Sequence, residues 1–230
     1  MVTGAMTVHA VHSDDQWLSR VGGASALAIG VAYVVIILLY ARVGPPPVGG
    51  EAWLMYLAGK ASEWWAIVGT SVLTNFLYVP IALSLYVALK QTNRNAMLIA
   101  IAFVGLFVVL ELAVNWSSIG ALLMLSGSYA SATNDLQRTA YVTAANYPSA
   151  VIASPLAAVY AIGTLSFAFL LIGLVMLKGV FNRLTAYIGI LTGVLGIAAV
   201  AGVGIAVILN AICATLWLFL VGYKLYRLAQ

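Results

Sequence analysis

Long apolar runs constrain this chain more than any other feature. A membrane-spanning helix needs about 20 consecutive apolar residues, because each residue adds about 1.5 Å of rise to cross a hydrocarbon core about 30 Å thick. The sequence contains six such runs, at about 21–43, 64–89, 96–125, 150–177, 184–201 and 204–223. The last two form one uninterrupted stretch, which as a single helix would be about 60 Å long. We therefore expect the chain to fold back at the glycines of Ala201–Gly204, since paired glycines permit a tight turn.

Composition points to the same class of protein. Hydrophobic residues make up 64% of the chain and charged residues 7%, whereas a soluble domain carries about 25% charged residues. This balance excludes a soluble enzyme, a disordered tail and a disulfide-built secreted domain. The first run starts too late and is too long for a secretory signal. We expect an all-α fold: a polar tail over 1–20, then one polytopic membrane domain of six helices over 21–227.

The basic residues predict how such a bundle is oriented. Seven of the ten lie in segments that would share one side of the membrane: Arg20, Lys90, Arg94, Lys178, Arg183, Lys224 and Arg227. The other three, Arg42, Lys60 and Arg138, fall on the opposite side. The positive-inside rule then places both termini in the cytoplasm, in a plasma or inner membrane.

Two of the connecting segments are expected to be helical themselves. Glu51–Lys60 is apolar on one side, which is typical of a short helix lying in the membrane interface. Asn134–Tyr147 has apolar residues at helical spacing, with Thr133 or Asn134 as N-cap and Pro148 as the stop. This second helix would pack over the outer mouth of the bundle, either as a plain connection or as a lid over a cavity.

Two short stretches resemble a known family. Leu83–Arg94, read as L-x-x-x-L-K-x-x-N-R, is followed by the apolar run Ala96–Leu112 with an acid inside it. Together with Gly173–Gly196, these stretches are similar to a bacterial family of six-span membrane proteins of unknown function. The resemblance implies a six-helix fold and supplies no catalytic residue.

Glu111 is the single charged residue that falls well inside an apolar run. It lies 15 residues after Ala96, about 22 Å along a helix and so near the midplane of the membrane. Ionisable residues at that depth are expensive and are by default candidates for function.

Counting residues from the loops predicts polar companions at the same depth. These are Tyr33, Thr74, Asn75, Thr164 and Asn210, with Asn115 one helical turn after Glu111. Pro80 removes the donor for the Phe76 carbonyl, which would help to line a small hydrophilic cavity. One hypothesis is a protonatable site for a proton or for a cationic or hydroxylated ligand, with Glu111 held by Asn75, Asn115 and Asn210. The other is a neutral Glu111 that joins helices by hydrogen bonds.

Other chemistries find little support in the sequence. Every lysine lies at the end of an apolar run, and the two histidines, His9 and His12, lie in the N-terminal tail. Cys213 sits in an apolar run and is expected to act as a small hydrophobic residue. We expect no metal, no cofactor and no catalytic residue. Gly189, Gly193, Gly196 and Ala201 have nearly the spacing of a close helix contact, either within the bundle or with a second copy of the chain.

Two classes of function therefore stay open. The first is a structural or accessory membrane component, with lipid and other membrane subunits or a second copy of itself as partners. The second is a transporter-like or binding protein that uses Glu111 as its protonatable group. An enzyme is a distant third, and nucleic acid is not an expected partner, because no basic stripe with interleaved aromatic residues is present.

Overall fold

A computed structural model describes residues 13–230 of the chain, and within that range it contains helices and no strands. The nine α-helices are α1 (Ser13–Val43), α2 (Gly50–Ala58), α3 (Ala61–Leu110), α4 (Ser117–Ala130), α5 (Asp135–Ala153), α6 (Pro155–Ala158), α7 (Thr164–Met176), α8 (Arg183–Val200) and α9 (Gly204–Leu228). Two π-helical segments interrupt them, π1 (Glu111–Trp116) and π2 (Val159–Gly163). The all-α prediction is confirmed.

Five helical stretches of the described chain are long and apolar enough to cross a membrane, judged by length and composition. One of them, Ala61–Ala130, has 70 residues and reverses direction at Asn93, whose φ of −159° and ψ of 91° are not helical. The rings of Tyr78 and Phe107 lie 5.4 Å apart, although 29 residues of straight helix would separate them by about 43 Å. The stretch is thus a hairpin, and the bundle has six long legs.

The predicted reversal after α8 is also confirmed. Gly202 adopts a φ of +95° between the end of α8 and the start of α9. This left-handed conformation is open to glycine at no steric cost, whereas a side chain would clash with the backbone. A glycine at this position therefore allows a connection of three residues, and α8 and α9 pack against each other.

The start of α1 and the end of α9 lie at the same end of the bundle. The Arg20 guanidinium Nε of α1 donates to the Ala229 carbonyl after α9, at 3.2 Å. The α7–α8 connection lies at this end too, since its Phe181 and Asn182 line one cavity with Lys224 of α9. The α3 hairpin turn meets that connection, because a Cβ on Gly179 would lie 3.5 Å from Thr92 Oγ1. We call this the basic end, because it gathers the seven cations that the sequence assigned to one side. At the opposite end, Lys60 Nζ donates to the Val43 carbonyl at 2.6 Å.

Several predicted boundaries are wrong. The first helix begins at Ser13 rather than at residue 21, and the third leg continues to Ala130 rather than ending at 125. Pro148 does not end its helix, which continues to Ala153, so the fourth leg starts at Pro155 and not at 150. The break falls at Pro155 because Ser154 before it is extended, with ψ of 140°. A proline disfavours helical geometry in the residue that precedes it.

The end opposite the basic end is closed by α2 and α5, which we call the cap. Trp53, Leu54 and Leu57 of α2 are buried against α4 and α5, and Ser126 Oγ donates to the Leu54 carbonyl at 2.8 Å. Asn134 is the N-cap of α5, where it accepts from the Gln137 amide at 2.9 Å. Each of the two predicted segments therefore contains a helix, and α2 is packed into the bundle by its buried residues.

Glycines bring α7 and α8 into close contact. A Cβ on Gly193 would lie 2.8 Å from the Leu170 amide nitrogen and from the Ser166 carbonyl oxygen. A Cβ on Gly173 would lie 2.7 Å from the Ile190 amide nitrogen. Small residues permit this separation because the two backbones meet without side chains between them. The predicted role of the 189–196 glycines in helix packing is confirmed.

The buried apolar residues form two clusters stacked along the bundle. The cluster nearer the basic end includes Tyr78, Leu85, Phe107 and Trp217. The cluster under the cap includes Trp53, Trp64, Ile67, Leu122 and Ala145. Along α3, π1 and α4 the boundary between the two clusters carries buried polar side chains, namely Ser71, Thr74, Asn75, Glu111, Asn115 and Ser118.

Candidate functional site

Glu111 is the first residue of π1 and is buried, with 6% of its surface exposed. Asn115, four residues later in the same segment, donates from Nδ2 to the Glu111 carboxyl oxygen Oε1. A π segment inserts an extra residue into a helical turn, and such insertions occur frequently at functional sites. Glu111 and Asn115, which were predicted to share a helix face, thus lie on one face of an irregular turn.

Asn115 also connects π1 to the next leg of the bundle. Its Nδ2 donates to the Ala157 carbonyl of α6 at 3.2 Å. Ala157 lies two residues before π2, and the two π segments contact each other. Irregular backbone therefore occurs on both sides of the same interface between helices.

Two buried polar atoms beside Glu111 have no hydrogen-bond partner among the described residues. One is the Asn115 amide oxygen Oδ1, and the other is the indole nitrogen Nε1 of Trp116. Such groups are rare in folded proteins, because each one loses its bonds to water without replacement. The Asn115 oxygen is consequently a free acceptor beside Glu111, and the Trp116 N–H is a donor next to the Glu111 carboxyl.

Glu111 lines a cavity of about 250 Å³. The other lining residues are Tyr40, Asn115, Trp116, Ile119, Ile152, Ala157, Ala158 and Ala161. A water molecule in the liquid occupies about 30 Å³, so the cavity has room for several waters or for a small solute. Within the described part of the chain no lysine or arginine lines it.

Two more cavities each share one lining alanine with this one. Ala161 is shared with a cavity of about 190 Å³ whose polar residues are Tyr33, Ser166 and Asn210. Ala157 is shared with a cavity of about 390 Å³ that lies along the α5–α6 break and includes Ser154. Tyr147 on the rim of this third cavity is 79% exposed, so this cavity reaches the surface of the bundle.

The structure separates most of the polar residues that share a predicted depth. Tyr33 and Tyr78 are hydrogen-bonded through their hydroxyls at 2.8 Å, and Asn210 Nδ2 donates to the Thr192 carbonyl at 2.7 Å. Thr74 and Thr164 each donate to a carbonyl of their own helix, at 2.8 Å. Equal depth does not fix the direction in which a side chain points around its helix. None of these four predicted side chains lines the Glu111 cavity.

The expected support of Glu111 by Asn75 and Asn210 is not found among the described residues. Asn75 is 2% exposed and forms no side-chain hydrogen bond there, while Asn210 is bonded to α8. The Phe76 carbonyl was expected to line the cavity, but residues 76 and 80 do not contribute to it, and the Phe76 side chain is mostly exposed. Of the predicted companions, only Asn115 meets the acid.

Three features of the site were not predicted from the sequence. Tyr40 lines the Glu111 cavity, and its signal was a spacing of seven residues from Tyr33, which is two helical turns. For Trp116 the signal in the sequence was its position as an aromatic residue directly after Asn115. The π segments carried no signal in the sequence, because they depend on how the neighbouring legs pack.

Metal binding finds no support in the described residues, which hold no group of three or more His, Cys, Asp and Glu side chains. His9 and His12 lie outside the described range. Cys213 is partly buried and is not in a disulfide.

Comparisons with known protein families, with characterised proteins and with solved structures give no match. The interpretation of the site therefore depends on its geometry alone.

Proposed function

We propose that the chain is an integral membrane protein whose six legs cross a plasma or inner membrane, with both termini on the cytoplasmic side. The outer surface supports this, because Leu73, Phe76, Val79 and Leu83 form an exposed apolar stripe along one leg. Soluble monomers rarely expose large contiguous apolar patches. The concentration of cations at the basic end supports the orientation. Membership of the bacterial six-span family is proposed on the sequence resemblance of Leu83–Leu112 and Gly173–Gly196.

Within this bundle we propose that Glu111 is the central group of a small-solute site, in a binding or transporter-like protein. The observation that carries the proposal is that Glu111 borders a cavity and forms no hydrogen bond to another leg in the described chain. An acid that served only to join helices would be bonded across the interface between them. In the described chain the Glu111 carboxyl is instead bonded within π1, and the buried residue borders a cavity.

The chemistry of the lining suggests what the solute carries. Glu111 and the free Asn115 oxygen accept hydrogen bonds, and the Trp116 N–H lies beside the Glu111 carboxyl. The remaining wall is aromatic or aliphatic. This arrangement suits a compact solute with N–H or O–H donors, including a cation, or a proton held with water on the carboxyl.

A structural or accessory role is the second candidate. The bond from Asn115 to the Ala157 carbonyl supports it, since that contact joins two legs of the bundle. Under this alternative Glu111 only orients Asn115, and the cavity has no occupant.

Native mass spectrometry of the protein extracted gently from its own membrane separates the two candidates. We expect a bare chain carrying a small adduct. Glu111→Gln should lose the adduct because it removes the charge while keeping the shape. Ala161→Leu should lose it because a larger side chain fills the cavity without touching the charge. Glu51→Gln, at an exposed acid outside the cavity, is the matched control.

The same spectra contain the results that would oppose the proposal. If the adduct persists in Glu111→Gln and in Ala161→Leu, it is bound elsewhere. If the chain is recovered with stoichiometric protein subunits and no adduct, the accessory role is supported instead.

A further inference from the structure

A fourth cavity, different in character from the three near Glu111, lies at the basic end. It has a volume of about 680 Å³ and lies between the C-terminal turns of α9 and the segment that leads into α8. Lys224 and Arg227 line it from α9, and Asn182 and Thr185 line it from the start of α8. We call it the basic groove.

The charges of the basic groove are arranged to meet an anion. Lys224 and Arg227 are three residues apart on α9 and therefore share a face of the helix. Arg227 is held over the Tyr223 ring, with its guanidinium carbon 5.6 Å from the ring centre. Lys224 is partly buried and has no hydrogen-bond or ion-pair partner in the described chain. No described acid lines the groove to neutralise the pair.

The walls of the groove are apolar next to these charges. Val180, Phe181, Leu220 and Leu228 complete the lining. Leu220 lies one helical turn before Lys224, further from the basic end and towards the middle of the bundle. A charged rim above an apolar wall matches an amphipathic molecule better than a free soluble anion.

We propose that the basic groove binds the phosphate-bearing headgroup of an anionic membrane lipid. Lys224 and Arg227 pair with the phosphate, and the acyl chains lie along the apolar wall. Basic pockets between helices on the cytoplasmic side of a membrane protein bind anionic headgroups in this way. The proposal is independent of Glu111 and of any solute bound there.

The test uses the full chain reconstituted with phosphatidylglycerol or with phosphatidylcholine, and lipid retention is measured by native mass spectrometry. Wild type should retain phosphatidylglycerol in preference to phosphatidylcholine, and excess inorganic phosphate should not displace it. Each basic residue near an anionic surface contributes roughly a fivefold factor in affinity. The double variant Lys224→Gln, Arg227→Gln should therefore bind phosphatidylglycerol about 25-fold more weakly.

Two further double variants make the result specific. Lys90→Gln with Arg94→Gln removes the same charge from the same end but outside the groove, and it should retain the lipid as wild type does. Lys224→Arg with Arg227→Lys keeps the charge, and it should also retain the lipid and the melting temperature of wild type.

The proposal is overturned if both neutralised double variants lose the lipid equally, because general surface charge then explains the binding. It is also overturned if the groove variant retains the lipid, or if inorganic phosphate competes with it, which would indicate a site for a free anion.

Discussion

Gly193→Leu is expected to prevent stable assembly of the bundle. The new Cβ would lie 2.8 Å from backbone atoms of Leu170 and Ser166, and backbone in a packed helix cannot move aside as a flexible side chain can. Overpacked core positions cost about 1–3 kcal/mol and sometimes more, and we expect a loss at or above the top of that range. The melting temperature and the monodisperse fraction in detergent, measured by fluorescence size-exclusion chromatography, report this loss.

Gly105→Leu is the matched control for this substitution. Gly105 also lies inside a long helix, but a Cβ there meets no atom within 4 Å. It should retain nearly all of the wild-type melting temperature. Equal stability of Gly193→Leu and Gly105→Leu would contradict the close contact between α7 and α8.

Trp53→Ala is expected to release the cap while leaving the basic end folded. Trp53 is 2% exposed, and its ring packs edge-on against Trp64 at 5.5 Å and against Tyr56 at 5.7 Å. Removing a buried tryptophan costs about 3–5 kcal/mol. Because α2 has only nine residues, packing rather than helix propensity holds it in place. Hydrogen exchange should therefore rise over 50–58 and 135–153, with little change over 164–176.

Trp65→Ala provides the comparison, since its side chain is 49% exposed and lies next to Trp64 in sequence. Its exchange pattern should match that of wild type. Exchange that rises equally throughout the described chain in Trp53→Ala would show that the cap is not a separate packing unit.

The long legs of this fold could be predicted because their signals are local. Apolar runs mark the legs, Gly202 marks a turn, and Asn134 marks a helix start. The break that was predicted at Pro148 shows the limit of such signals. Pro148 and Pro155 look alike in the sequence, yet only the residue before Pro155 leaves the helix. Packing of α5 against α2 and α4 decides between them.

Part of the candidate site could also be predicted, because its signal is local to one helix. The separation of Glu111 and Asn115 by four residues is a property of one helix, and that contact is present. The expected contacts of Asn75 and Asn210 depended on how separate legs rotate about their axes, which residue counting cannot supply. The π segments that shape the cavity arise from contacts between legs and were equally hidden.

Chemical labelling of Glu111 in native membranes tests the central claim most directly. A hydrophobic carbodiimide adds to an accessible protonated carboxyl group and leaves a stable mass increment that peptide mapping locates. If Glu111 borders an accessible cavity, the carbodiimide should label it in wild type. In Ala161→Leu the label should be lost, although the Glu111 side chain and the fold are unchanged. A folded protein whose Glu111 remains unlabelled, or is labelled equally in Ala161→Leu, would contradict a small-solute site at this position.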